Sequence, residues 1–384
     1  MKQKIKNLIK KNQKIFKLIS IIRMITNSSM RKSFGKRKKY PKVIQLPITY
    51  KCNSKCVMCN IWKMSSKNEA SLDEFKKFMK DPLFKKVESV GINGGEPSLV
   101  KNLEKYACEI LNLPSLKHLN IISHGFNQEL LLSNLIKIYK MCKEKNIPFH
   151  VSISLDGIGE IHNRVRGKKN IFNKTISTID EIKQNQHLYC DSFDIGCTLV
   201  KQNIDYLIEI DVFAKIKNYN LKYRLGINNR RIESHKINKN YSVLDDPFNQ
   251  NAKEFFHYKM LNSQTLNEKF KYFSILYWLN NTVKKRLLGC LWQEEGVTLD
   301  ARGDLYYCAV ASHSLGNLKD QKGEDIFFDK ENINYRYNLI KDECDKCIHD
   351  YAGTPQTKNL LLFLKEMIKE RFAMKIYKIK AKFL

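Results

Sequence analysis

The sequence predicts an α/β fold: a partial (β/α)6 barrel with a small C-terminal cysteine-bearing module. Three observations carry this. From about residue 43 to 230, short apolar runs alternate with longer stretches of helical periodicity, the mark of repeated βα units around a parallel sheet. The array fits about six units into fewer than about 200 residues, too short for a closed eight-fold barrel. After Asn228 the alternation stops, and turn-punctuated sequence with clustered cysteines follows at about 287–352.

The predicted strands are Lys42–Thr49, Val87–Asn93, His118–Ser123, Phe149–Leu155, Phe193–Val200 and Lys222–Ile227. Between them run helices at Ser71–Lys80, which opens with a Ser-x-x-Glu capping box (Ser71, Glu74), and at about 101–112, 129–145, 171–186 and 203–217. The chain divides into a basic amphipathic helix and linker at 1–40, the barrel at 41–230, and a helical stretch rich in aromatics at 231–286. The cysteine module at 287–352 and a second basic amphipathic helix at 353–384 complete it. No apolar run reaches the roughly 18 residues of a membrane-spanning helix.

The net charge is +29, yet only 12 of the 68 basic residues are Arg, the residue suited to bidentate phosphate recognition. A Lys-dominated excess describes a solvated face, so no nucleic-acid partner is expected. The terminal helices offer peripheral contact with an anionic membrane, or packing on the main domain or a partner. Eleven cysteines without a secretory signal pattern indicate free thiols in a reducing cytoplasm, with any membrane association at its inner face.

Cys52, Cys56 and Cys59 follow the first predicted strand, on the catalytic face of a βα barrel. Three thiolates at this spacing hold three corners of a [4Fe–4S] cube and leave one iron open. A zinc site with a fourth ligand from elsewhere is the alternative. The Cys-x3-Cys-x2-Cys pattern at a first βα loop resembles the radical S-adenosylmethionine (SAM) superfamily. Met58 stands where relatives often have an aromatic residue.

The resemblance implies that SAM chelates the open iron and is cleaved to a 5′-deoxyadenosyl radical, with electrons from a flavodoxin- or ferredoxin-type donor. Gly94-Gly95-Glu96-Pro97 resembles the family's Gly-Gly-Glu motif, whose carboxylate meets the SAM amino group. Ser123-His124-Gly125 stands where relatives often have Thr-Asn-Gly, and His124 is read as a loop residue. Ser154 and Arg166 fall in the region implied to reach the SAM ribose and carboxylate. Asp156 is either part of that site or the cap of a turn. Asn203 is expected as a SAM contact and helix N-cap. The resemblance covers roughly residues 43–228.

Cys290, Cys308, Cys344 and Cys347 make a second set, with Gly303 five residues before Cys308. Four thiolates close a tetrahedral or cubane site. The pattern resembles the SPASM and twitch domains of radical SAM enzymes, and the lack of later cysteines points to the twitch type with one auxiliary [4Fe–4S] cluster. A four-cysteine zinc knuckle is the alternative, and with it a basic binding module for nucleic acid or membrane. Cys108 and Cys142 fall in helical patterns and Cys197 in a strand, as small hydrophobes, and Cys190 precedes a strand and is read as incidental.

A fully ligated auxiliary cluster is suited to electron transfer, so the resemblance implies oxidation of an alcohol to a ketone. Twitch-bearing relatives include an amino-cyclitol dehydrogenase, and SPASM-bearing relatives modify peptides. A sugar or polyol substrate is the first expectation, since only some 40 residues precede the core, and a peptide substrate the second. Epimerisation is the redox-neutral alternative. Arg224 at the end of the sixth strand is a candidate substrate contact, and Glu294 and Glu295 are candidate bases.

Overall fold

The computed structural model describes residues 39–236, 241–349 and 356–380. The basic helix expected within 1–40 lies outside the described residues, save for Lys39 and Tyr40. The chain divides into two compact units: one of Lys38–Ala252 with Leu291–Asp345, the other including Lys253–Cys290 and the chain from Lys346 on.

In the first unit, β1 (Val43–Pro47), β2 (Ser89–Asn93), β3 (His118–Ser123), β4 (Phe149–Ser154), β5 (Ser192–Leu199) and β6 (Leu221–Leu225) lie in sequence order, every pair parallel. Helices α1 (Leu72–Met79), α2 (Leu103–Leu111), α3 (Gln128–Glu144), α4 (Phe172–Gln184) and α5 (Leu207–Ile216) return the chain between strands. The predicted capping box starts α1: the Ser71 side chain accepts from Glu74 N–H, and Glu74 reaches back to the Ser71 backbone.

Alternation along the strands separates two environments. Ile44, Leu46, Val90, Ile92, Leu119, Ile121, Val151, Ile153 and Ile195 meet Phe75, Leu103, Ile110, Leu135, Ile138, Ile179 and Ile182 of the helices in one buried core. Each fully buried aliphatic side chain contributes roughly 1.5–3 kcal/mol. The opposite face is polar. Register places Ser152 beside Asp194, Ser154 beside Gly196 and Thr198 beside Arg224 on it.

The sheet does not close. The free edge of β1 takes β7 (Gly296–Leu299) in parallel, then β8 (Asp304–Tyr306) and β9 (Gly316–Asn317) add antiparallel, giving nine strands in the order β6-β5-β4-β3-β2-β1-β7-β8-β9. A strand of the expected 287–352 module thus continues the barrel's own sheet. An open edge with unpaired backbone groups is a strong template for a further strand.

In the second unit, the aromatic stretch forms α6 (Leu266–Asn280), opened by a Thr265–Glu268 capping box. Phe270 and Phe273 pack on Phe363 of α7 (Thr357–Lys380) with ring centroids 5.3 and 5.4 Å apart. No described helix is long and apolar enough to cross a membrane.

Candidate active site at the cysteine loop

Loops after the strands enclose a cavity of about 190 Å3, lined among others by Cys52, Cys56, Cys59, Trp62, Glu96, Ser154, Arg166, Thr198 and Arg224. The cysteine loop is clamped on one side by a short helix, Glu160–Arg166. Ser54 Oγ and Lys55 N–H both donate to the Arg166 carbonyl at 2.8 and 3.0 Å, and Val57 N–H donates to that of Val165 at 2.9 Å. Gly167 ends the helix at φ +63°, and a Cβ there would lie 2.2 Å from the Lys55 carbonyl oxygen. Only glycine fits so close an approach. Gly95 is equally tight: its N–H donates to Thr49 O at 2.7 Å, and a Cβ would lie 2.0 Å from Lys51 O.

Burial pushes the Cys52 thiol up to about 12. Cys59 is also pushed up to about 12, by burial first and by neighbouring Cys56 second. The folded chain thus holds these groups as thiols, and iron must displace their protons. Among the described residues no group of three or more His, Cys, Asp or Glu side chains is gathered as a preformed metal cage; the three thiols share one loop and one cavity.

The donor set suits the expected group. Three cysteines from one loop leave one cubane iron without a protein ligand. Two buried donors on cavity-lining side chains, Trp62 Nε1 and Arg166 Nε, have no protein partner and await acceptors. Arg166 also forms an ion pair with fully buried Asp156 at 2.5 Å and points Nη1 at Cys56 Sγ, 3.6 Å away. The Asp156 carboxylate additionally accepts from Thr198 N–H at 2.7 Å, so it braces β4 to β5.

Glu96 is almost wholly buried, and its carboxylate accepts from Ser98 N–H (3.1 Å), Ser123 Oγ (2.7 Å) and His124 N–H (3.0 Å). Gly94, Gly95, Glu96, Ser154, Arg166 and Arg224 are brought together around the three cysteines. Asn203 is not. Its side chain is completely buried, donating to the carbonyls of Asp156 and Thr198 at 2.9 Å and accepting from Val200 N–H at 2.9 Å. It makes no side-chain cap bond to the turn that follows it. It brackets the β4 and β5 loops from beneath, which corrects the expected ligand contact.

Glu294 and Glu295 are also placed elsewhere. Glu294 pairs with Lys39 and Glu295 with Lys42, and the Glu295 carbonyl accepts from Lys42 and Val43 N–H. This is the N-terminal end of β1, whereas Cys52 follows its C-terminal end, so neither carboxylate reaches the cavity. Because β7 runs parallel to β1, the residues just before it arrive at the wrong end for a base.

The second cysteine set is divided between the units: Cys308 and Cys344 in the first, Cys290 and Cys347 in the second. All four are half-buried thiols. Cys308 Sγ accepts from Ala311 N–H and Cys347 Sγ from His349 N–H, each at 3.4 Å, and hydrogen bonds to sulfur of this kind tune the potential of an iron–sulfur cluster. Cys344 ends a π-helical turn, Ile340–Cys344.

Sequence reasoning missed Asn53, Ser54 and the role of His124. The one available signal was the departure from Thr-Asn-Gly at Ser123-His124-Gly125.

Residues 46–214 match the radical SAM superfamily, and residues 290–348 match the SPASM iron–sulfur cluster-binding domain. Among curated proteins the chain is similar to GTP 3′,8-cyclases: 27% identical over 194 residues to that of Campylobacter jejuni, covering 50% of this chain and 56% of the relative. That of Clostridium botulinum is 23% identical over 211 residues, covering 53% and 60%. The chain thus spans about half the length of the curated relatives it matches. Among solved structures it resembles native anSMEcpe with bound AdoMet and Cp18Cys peptide, at a TM-score of 0.57 and 17% identity over 87% of this chain and 99% of that one. It also resembles SuiB of Streptococcus suis bound to S-adenosylmethionine, at 0.54 and 15% over 78% and 68%. These likenesses concern the fold. The cysteine loop at the head of an open parallel barrel, followed by a matched cluster-binding domain, makes this chain a radical SAM enzyme with a C-terminal auxiliary iron–sulfur domain.

Proposed function

We propose that this enzyme is an oxidoreductase that turns a carbinol of a sugar- or polyol-type substrate into a ketone, and that the substrate carries a phosphate or carboxylate. The supporting observation is the cavity wall. Ser154, Thr198 and Arg224 line it, and the Arg224 guanidinium lies over Gly196, where a Cβ would stand 2.7 Å from Nη2. Among the described residues Arg224 has no hydrogen-bond or ion-pair partner, so a ligand anion completes it.

Cys52, Cys56 and Cys59 would hold a [4Fe–4S] cluster, which together with SAM would supply one-electron reductive cleavage to methionine and a 5′-deoxyadenosyl radical. On this reading Glu96 receives the SAM ammonium, Ser154 and Arg166 its polar groups, and Arg224 the substrate anion. The carbinol carbon gives up one hydrogen atom, which ends in 5′-deoxyadenosine. Cys290, Cys308, Cys344 and Cys347 would hold the auxiliary cluster, which would supply the acceptor for the carbinol radical's remaining electron, while the hydroxyl proton would pass to solvent. One SAM is consumed per ketone, and the electron spent is recovered. The curated relatives are named for GTP, a phosphate-bearing ligand, which agrees with an anionic substrate.

A peptide substrate is the second reading. It is favoured by the peptides in the similar structures, Cp18Cys with anSMEcpe and SuiA with SuiB.

The test is anaerobic turnover of the reconstituted full chain with dithionite and SAM. Phosphorylated and carboxylated polyols, each deuterated at carbon, are compared with deuterated peptides. Deuterium in 5′-deoxyadenosine together with one ketone per SAM supports the proposal. Deuterium arriving only from peptides transfers the function to the second reading.

A further inference from the structure

We propose that His124 is a positioning residue that fixes the distance between the Glu96 carboxylate and the cysteine loop, and so the seat of SAM on the open iron. The proposal rests on the radical SAM assignment and goes beyond it in giving a role to a side chain outside the family's usual Thr-Asn-Gly pattern.

The geometry defines the ring's protonation. Phe126 N–H donates to His124 Nδ1 at 3.0 Å. A backbone amide only donates, so Nδ1 is an acceptor and the neutral ring carries its proton on Nε2. Nε2 lies 2.6 Å from Asn53 Oδ1, the acceptor that takes that proton, and its ring edge comes within 3.3 Å of Glu96 Oε2. The ring is stacked on Phe126 at 3.6 Å between centroids, and its side chain is 3% exposed, so it has no alternative pose in contact with water.

One imidazole therefore ties together three segments. Its backbone N–H holds Glu96, its Nδ1 holds the turn at Phe126, and its Nε2–H holds Asn53, the residue after Cys52. On the other side, Ser54 Oγ donates to the Arg166 carbonyl at 2.8 Å. The cysteine loop is thus held from both sides, and His124 is the side that also orients the ammonium acceptor. Groups that orient cofactor ligands in this indirect way typically change affinity or activity about 10–100-fold when removed.

Two substitutions separate positioning from simple support of the turn. H124N keeps an acceptor near the place of Nδ1 and loses the reach of Nε2; H124Q keeps a donor near the place of Nε2. The measurements, on reconstituted full-length holoenzyme, are iron and sulfide content, the electron paramagnetic resonance of the reduced cluster with and without SAM, and KM for SAM in substrate-free reductive cleavage. H124N should retain its iron, lose most of the SAM-induced change in the spectrum, and raise KM for SAM about tenfold or more. H124Q should stay close to wild type.

Wild-type KM and spectrum in H124N would overturn the proposal, as would loss of the cluster in both variants, which would assign His124 to cluster assembly. If H124N fails to fold, N53A decides: a raised KM for SAM sustains the proposal, and an unchanged one ends it. Failure of the wild-type chain to cleave SAM would instead count against the radical SAM reading.

Discussion

The two cysteine sets are organised in different ways. Cys52, Cys56 and Cys59 lie within one loop, inside one compact unit, with walls supplied by the Glu160–Arg166 helix and the β3 loop. Cys290, Cys308, Cys344 and Cys347 span 58 residue numbers. A local motif carries its geometry with it, because a few backbone hydrogen bonds and two tightly packed glycines define the loop. A dispersed set depends on long-range structure that no short spacing encodes. On the proposed function, the first is the radical source and the second a separable electron acceptor.

The sharpest way to break that division is to remove each set. Replacing Cys52, Cys56 and Cys59 by Ala should abolish SAM cleavage and remove about four of about eight irons per chain. Replacing the other four should remove a similar number of irons and leave 5′-deoxyadenosine formation in the absence of substrate, while ending product formation. Anaerobic iron analysis and chromatography of the cleavage products check both. Loss of SAM cleavage in the second variant would show that the two sets are not separable.

A smaller effect comes from the imidazoles around the first loop. Burial is the main cause that holds His124 down to about 4, opposed by Glu96 and aided by Arg166 and Lys168. His162 is held well below the usual range, also by burial, with Arg166 and His124 in support. In the unfolded chain both take up protons near pH 6.5, so between about pH 6.5 and 4 the unfolded state binds more protons. Stability must then fall as pH drops through this window and be flat above it on their account. Urea midpoints under anaerobic conditions at pH 7.5, 6.5 and 5.5 measure it, and H124Q should reduce the slope. Midpoints that rise on acidification would contradict the neutral tautomer assigned to His124.

Most of the barrel was legible in the sequence. All six predicted strands are present with ends displaced by at most two residues, Lys222–Ile227 among them, which is found at Leu221–Leu225. Apolar alternation records which strand face packs on helices, and the Ser71–Glu74 box marks a helix start by local hydrogen bonding alone. The continuation of the sheet through β7 was not legible, because strand pairing across some 250 residues leaves no periodic trace. The same blindness put Glu294 and Glu295 in the wrong place and Asn203 in the cavity. Spacing says which residues are neighbours along the chain but not which end of a strand they reach. His124 was hidden for another reason: its role lies in partners from two other loops, Glu96 and Asn53.

The smallest effect tests the misplaced carboxylates. Glu294 and Glu295 are about a third exposed and pair with Lys39 and Lys42, which are more exposed still. Such surface pairs contribute about 0–1 kcal/mol, less in high salt. The double substitution of Glu294 and Glu295 by Gln should therefore shift the urea midpoint only slightly and leave KM for SAM and the rate of cleavage unchanged. A base in the reaction would behave otherwise, with product formation falling by about 100-fold or more. Because the pair sits at the N-terminal end of β1, opposite the cysteine loop, a loss of that size would mean that the strand polarity around the cavity has been misread, and with it the placement of the radical source.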